Sequence, residues 1–354
     1  MAPAPYPWAR LRAARYDHVY VSPHMDDAVY SCGGQIAKAR AEGAHVLVVN
    51  VFGTGASQQA GDVARARGEG ATSESAGAVF RDMVQRKREE QAAMDRLDLD
   101  FVWLDYPEAL YRPKRLGALG RYALSYAALA PAAGDLAARI AASLAALATR
   151  LLAPAGLLHF PLGIGFHPDH RLLHEIGRAL TPASAPRCFY EDVPYAQVES
   201  LRRDRLRYLG HPAMPPTPLA SSTRAIDRLV FPHAAAWKRP VTRLFVGGHL
   251  AGVRALFALA HRAPDLGTAP RLVEHDIGAV LPDKLAAMRA YESQTAHFFP
   301  DPNAIADALR SADGRWLERS WIFADAPAPS LAVPPAYLAA EQARLDALLA
   351  SSQR

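Results

Sequence analysis

Cysteine is scarce in this chain, with two residues, Cys32 and Cys188, among 354. Neither belongs to a CxxC pair, so a disulfide framework and a thiolate zinc clamp are both excluded. Any bound metal must then rest on histidine and carboxylate. Long apolar runs are also missing. No stretch of about 18 or more apolar residues occurs, which argues against a membrane-spanning helix. The stretch from Met1 to Arg15 is rich in Pro, Ala and Arg and lacks an apolar h-region. It does not read as a secretory signal, and a cytoplasmic location is expected. Charge of one sign is not in great excess: 40 Lys and Arg face 35 Asp and Glu, a formal net of +5. The basic residues are scattered among alanines and are not interleaved with aromatics, so nucleic-acid binding is not expected. A polar or anionic small substrate fits the mild positive balance better. Half of the residues are hydrophobic and 21% are charged, which suits a large folded core and excludes disorder as the overall state.

The apolar pattern alternates between strand and helix. His18 to Val21 reads as a strand, Ala28 to Ala41 as a helix stopped by Gly43, and His45 to Phe52 as a strand buried on both faces. Residues 53–76 are rich in Gly, Ser, Ala and Gln and read as a long surface loop. A charged helix is expected over Ala78–Leu97, a third strand at Phe101–Leu104, a helix at Ala133–Leu152 and a fourth strand at Leu157–Phe160. A helix from Pro168 to Leu180 and a fifth strand from Arg187 to Val193 follow. This alternation predicts an α/β fold with a doubly wound, mostly parallel sheet and helices on both faces. Residues 196–272 break the rhythm with clustered prolines and an Arg-rich stretch, Arg202 to Arg207, and read as an inserted covering segment. The rhythm resumes at Val273–Val280 and a helix over Asp283–His297. A Pro/Ala linker at 325–334 precedes a short tail helix from about Pro335 to Leu349. The whole chain reads as one catalytic domain.

Two motifs carry chemistry, and both fall at carboxyl ends of expected strands, where doubly wound sheets place their sites. The first is Pro23-His24-Met25-Asp26-Asp27 and the second is His167-Pro168-Asp169-His170. A hydrolytic zinc site takes about three N/O ligands, an open position for water and a carboxylate to accept that water's proton. His24, Asp27 and His170 would supply the ligands, Asp26 the base, and His167 a proton for the leaving group. Taken singly, each motif also has a structural reading. Paired aspartates before a helix often serve as an N-cap, and HPDH can be a proline-led helix start with capping neighbours. Only the two together argue for a site.

On these residues the chain resembles the PIG-L/LmbE-like zinc-dependent N-deacetylases. The opening motif stands as Pro23-His24-Met25-Asp26-Asp27 followed by Gly33-Gly34, and HPDH stands intact at 167–170. Arg86, Glu89, Ala93 and Leu97 match a helix pattern before a strand. Lys284, Ala287, Tyr291, Ser293 and Gln294 match a late helix pattern. The resemblance covers about 17–195 and 273–300, leaving 196–272 as an insertion and 301–354 as a C-terminal extension. It implies a Rossmann-like fold and removal of an N-acyl, most commonly N-acetyl, group from an amino sugar or glycoconjugate. By that likeness His24, Asp27 and His170 bind Zn2+ or another divalent ion such as Fe2+, Asp26 is the general base, and His167 assists the tetrahedral intermediate and leaving amine. Arg86 would touch substrate, Glu108 stands where a sugar-hydroxyl contact is expected, and Asp169 would orient a histidine. Related chemistries are an amidase acting on a non-sugar or thiol-conjugate amide, and a zinc-binding relative without catalysis. The chain departs from the pattern at Met25, where proline is common, and at Gly165, where some members carry a catalytic tyrosine.

Other features read as structural. His159 sits inside an apolar strand and is expected to be a satisfied core histidine. Gly53-Thr54-Gly55 lacks GxGxxG and does not read as a dinucleotide site. Ser22 has no G-x-S-x-G context. Arg202 to Arg207 reads as a solvated helix face, and Trp237 and Phe298-Phe299 as core residues.

Overall fold

The structure is a computed structural model that describes residues 9–53, 73–109, 135–180, 186–211, 217–230, 235–260, 270–298 and 306–352, the last apart from 308, 312, 324–330 and 332. The glycine-rich stretch 54–72 and residues 110–134 lie outside the described residues. The strands are β1 (Ala9–Arg10), β2 (Tyr16–Ser22), β3 (Val46–Phe52), β4 (Asp100–Tyr106), β5 (Leu152–Pro161), β6 (Arg187–Tyr190), β7 (Arg271–Asp276) and β8 (Leu317–Ile322). They form one sheet in the order β1-β4-β3-β2-β5-β6-β8-β7. Its centre, β4-β3-β2-β5-β6, is parallel, while β1 on β4 and β8 on both β6 and β7 are antiparallel. The expected mostly parallel, doubly wound α/β fold is therefore present.

Side-chain alternation explains the layering. Val19, Val21, Leu47, Val49 and Val51 face one apolar cluster, whereas Tyr20, Val46 and Val48 face another. Every residue of β3 is buried, as a central parallel strand covered on both faces must be. The first cluster is closed by α3 (Asp135–Leu151), α4 (Pro168–Ala179) and Leu345 and Leu348 of α10 (Pro335–Ser352). The second is closed by α1 (Asp27–Ala41), the end of α2 (Ser73–Arg96) and α8 (Leu281–Met288). From β2 the chain winds outward to β3 and β4, then crosses back to β5 and β6 on the other side. The winding reverses between β2 and β5, and a crevice forms there at the carboxyl ends of the strands. Among the described residues no helix is long and apolar enough to cross a membrane.

Several boundaries differ from the sequence expectation. The strand expected at 273–280 ends at Asp276, and the single helix expected over 283–297 is two, α8 and α9 (Glu292–Phe298), broken at Tyr291. Strand β1 lies in the irregular lead-in, and β8 lies in the region read as an extension. β8 has no clean apolar period because Glu318 and Ser320 are buried. The inserted segment holds α5 (Glu199–Tyr208), α6 (Leu219–Val230) and α7 (Arg239–Ala260). Arg205 of α5 is buried, not solvated, and donates to the Leu162 carbonyl at 2.7 Å.

Glu318 explains how the outer strands grip the core. Its carboxylate accepts the Gly34 and Gln35 amides of α1, each at 2.8 Å. Lys284 of α8, fully buried, reaches the same carboxylate at 2.6 Å and donates to the Tyr30 carbonyl at 2.6 Å. A buried charge stripped of its partner is far costlier than the pair. Lys284→Met is therefore expected to cost about 3–5 kcal/mol in urea unfolding, and unchanged stability would contradict the anchoring role.

Candidate metal centre

The first motif is set by a tight turn at the end of β2. The Ser22 hydroxyl accepts the Ala28 amide at 3.0 Å and donates to the His24 carbonyl at 2.5 Å. This folds His24-Met25-Asp26 over the start of α1. Asp26 occupies the N-cap position, yet its side chain makes no capping hydrogen bond. Asp27 instead folds back, its Oδ2 accepting the His24 amide at 2.9 Å. The second motif follows β5 through a turn in which Gly163 and Gly165 both have positive φ, +82° and +83°, a conformation open to glycine at no steric cost. Pro168 then starts α4, and His167 caps it through Nδ1, which accepts the Asp169 amide at 3.3 Å. An accepting Nδ1 leaves Nε2 as the protonated nitrogen of a neutral His167 ring.

The two motifs meet across the crevice. Asp27 Oδ2 lies 3.0 Å from His24 Nδ1 and 3.2 Å from His170 Nε2. His24, Asp27 and His170 each offer one ligand atom, all within 4.8 Å of one another. A tetrahedral zinc shell with bonds of about 2.0–2.1 Å has edges of about 3.3–3.4 Å, so this donor set fits such an ion. The far side of each ring is held by a carboxylate. His24 Nε2 lies 3.2 Å from Asp169 Oδ2, and His170 Nδ1 lies 2.7 Å from Asp192 Oδ1. Outer carboxylates of this kind fix the ring orientation and raise the basicity of metal-binding histidines. A second group, His24, His167 and Asp169, is also within range. Asp169 Oδ2 there already accepts the Ala109 amide at 2.9 Å and faces His24, which suits an orienting role.

The electrostatics separate the adjacent carboxylates. Burial, followed by the charge of Asp27, raises the Asp26 carboxyl to about 6. Burial would raise Asp27 too, but His170 and His24 outweigh it and hold its carboxyl well below the usual range. Burial opposes protonation of His170, yet Asp27 and Asp192 lift it to about 9. A seated cation would draw Asp26 back toward its ionised form. Two carboxyls with opposed tendencies suit one ligand and one proton acceptor. Arg86 and Glu108 pair with each other at 3.1 Å and act electrostatically on His24, and Arg86 also on Asp26.

Sequence reasoning missed Asp192, which also takes the Gly163 and Ile164 amides at 2.8 Å each and so ties the start of the turn after β5 to His170. Its signal was modest, an acid at the carboxyl end of the fifth strand. It also missed Tyr195, whose ring meets His170 edge-on at 6.0 Å. A Cβ on Gly165 would lie 2.6 Å from the Tyr195 ring, so Tyr195 fills the space a side chain at 165 would need. Buried Glu90, bonded by Asn50 at 2.7 Å and by Tyr291, was missed as well; burial raises it to about 8. His159 is a core histidine as expected, between His18 Nδ1 and Cys188 Sγ at 3.0 Å each. Trp237, expected in the core, is exposed, and Phe299 lies outside the described residues.

Residues 19–181 match the family described as PIG-L, GlcNAc-PI de-N-acetylase. Over 190 residues the chain is 34% identical to 2'-N-acetylparomamine deacetylase of Streptomyces fradiae; that stretch is 53% of this chain and spans only 60% of that protein. The structure of the A40926 pseudoaglycone deacetylase has the same fold, with a TM-score of 0.50 and 20% identity, covering 88% of this chain and 99% of that one. So does a deacetylase of the teicoplanin biosynthesis pathway, with a TM-score of 0.50 and 18% identity, covering 86% of this chain and 96% of that one. The 23–27 and 167–170 motifs both lie inside the stretch, residues 19–181, that matches the PIG-L family description.

Proposed function

We propose that this protein is a metal-dependent N-deacetylase that removes an N-acyl group, most simply N-acetyl, from an amino sugar or glycoconjugate. The observation that carries the reading is the convergence of His24, Asp27 and His170 on one point, with the uncapped Asp26 beside it. The 34% identity to 2'-N-acetylparomamine deacetylase supports the substrate class.

His24, Asp27 and His170 would hold the ion, with Zn2+ favoured and Fe2+ compatible with the same donors. When bound, a divalent ion here supplies Lewis acidity and a water acidic near neutral pH. Asp26 accepts that water's proton as its oxygen attacks the acyl carbon. His167 donates a hydrogen bond from Nε2 to the developing oxyanion, and the proton taken up by Asp26 passes to the leaving nitrogen. The C–N bond breaks, releasing a carboxylic acid and a free amine. Asp169 and Asp192 keep the two ligand rings aimed inward. The Arg86–Glu108 pair presents a donor and an acceptor suited to sugar hydroxyls. Within the inserted segment, helix α5 would frame the substrate, since it packs on the turn that leads into HPDH.

Asp26→Ala is expected to lower acetate release from N-acetylated amino sugars by several orders of magnitude while zinc stays bound; near-normal turnover would overturn the assigned base. Asp192→Ala should weaken Zn2+ binding about 10–100-fold in competition with a chelator, and wild-type affinity would rule out its orienting role. Across a panel of acetylated sugars and other amides, acetate release should be confined to sugars. Hydrolysis only of a thiol-conjugate or other non-sugar amide would replace the substrate class while keeping the site.

A further inference from the structure

The exposed apolar residues are not scattered. Of the six large hydrophobic side chains exposed among the described residues, four lie together: Trp237 at 77%, Val241 at 70%, Leu244 at 78% and Phe245 at 47%. Val241, Leu244 and Phe245 stand at i, i+3 and i+4 of α7, and Gly248 and Gly252 continue that face, with nothing within 4 Å of either Cβ position. Trp237 precedes the face by one turn. The opposite side of the helix is buried through Val246 and Leu250. Helix α7 therefore has two apolar sides, and among the described residues only one of them packs on the protein. A solvent-facing stripe of this make-up calls for a partner.

The charge map says which partner. The inserted segment 196–272 holds 12 Lys and Arg against 4 Asp and Glu, a net of +8, whereas the whole chain is +5 and the remainder is therefore −3. The positive balance of the protein is thus concentrated on the segment that carries the stripe. Lys238 lies over the Trp237 ring at 5.0 Å. Arg224 and Arg228 are exposed on α6, which packs against α7, and form no ion pair among the described residues. Asp227 is buried between the two helices and shared by Arg239 at 3.1 Å and Arg243 at 3.4 Å, so one carboxylate faces two cations.

We propose that the Trp237–Phe245 face of α7 docks on an anionic lipid surface, placing the protein at the membrane periphery. Apolar side chains on one helix face, bordered by cations and led by a tryptophan, match what an acyl–headgroup boundary accepts. A second copy of the chain fits less well, because twofold pairing would set a positive segment against itself. The proposal rests on none of the residues assigned to hydrolysis.

The test is co-sedimentation of the full chain with vesicles of phosphatidylcholine, with and without phosphatidylglycerol. Binding is expected only with the anionic lipid and should fall as salt rises. Replacing Trp237, Leu244 and Phe245 by Ser should weaken binding about tenfold or more without changing deacetylation of a soluble substrate. Arg224→Gln, Arg228→Gln and Lys238→Gln should each weaken it about fivefold. Absence of binding, equal binding to neutral vesicles or unaltered binding of the serine variant would overturn the proposal. So would a wild-type dimer that the serine variant splits, which would assign the face to self-association.

Discussion

The carboxylate of Asp27 is the point on which the rest of the structure converges. It stands between His24, carried by the turn after β2, and His170, carried by the helix after β5. Those two strands are neighbours only because the winding of the sheet reverses between them. Three charged or chargeable groups share one buried site, and such grouping is unfavourable unless each finds a counter-charge or a cation. Asp192 and Asp169 complete the arrangement from behind the two rings. Three carboxylates and two imidazoles thereby leave a net negative pocket, the electrostatic condition for holding a divalent ion.

Rigid support extends outward from that point. Helix α1, which begins at Asp27, is fastened in its middle by Glu318 and Lys284 and beside them by Ser31, whose hydroxyl accepts the Val193 amide at 3.0 Å. Val193 follows Asp192, so one segment orients His170 and also ties down the helix of the opposing motif. A misplacement of either strand end would thus be felt at both histidines. Elements remote in sequence, β8 and α8 among them, position the site without touching it.

Much of this was legible in the sequence, and the failures have a common cause. The central strands declared themselves through short β-branched runs, and the residues brought together at the candidate site through residue type at strand ends. Asp192, Tyr195 and Glu90 were not legible because their partners are distant along the chain: Asp192 meets His170, Tyr195 meets Gly165, and Glu90 meets Asn50 and Tyr291. Strand β8 was hidden because Glu318 and Ser320, which read as polar surface, are buried. Trp237 misled in the opposite sense, since a large aromatic reads as core and here faces solvent. The scarcity of cysteine was the most useful negative, because it left only imidazole and carboxylate to hold a metal.

The central claim is that His24, Asp27 and His170 together form the metal seat. The most direct measurement is anomalous X-ray scattering from crystals of the zinc-loaded protein, collected on both sides of the zinc absorption edge. The account predicts one dominant peak bonded to His24, Asp27 and His170. A dominant peak elsewhere, for example between His18, His159 and Cys188, or no ordered zinc at this crossover, would contradict it.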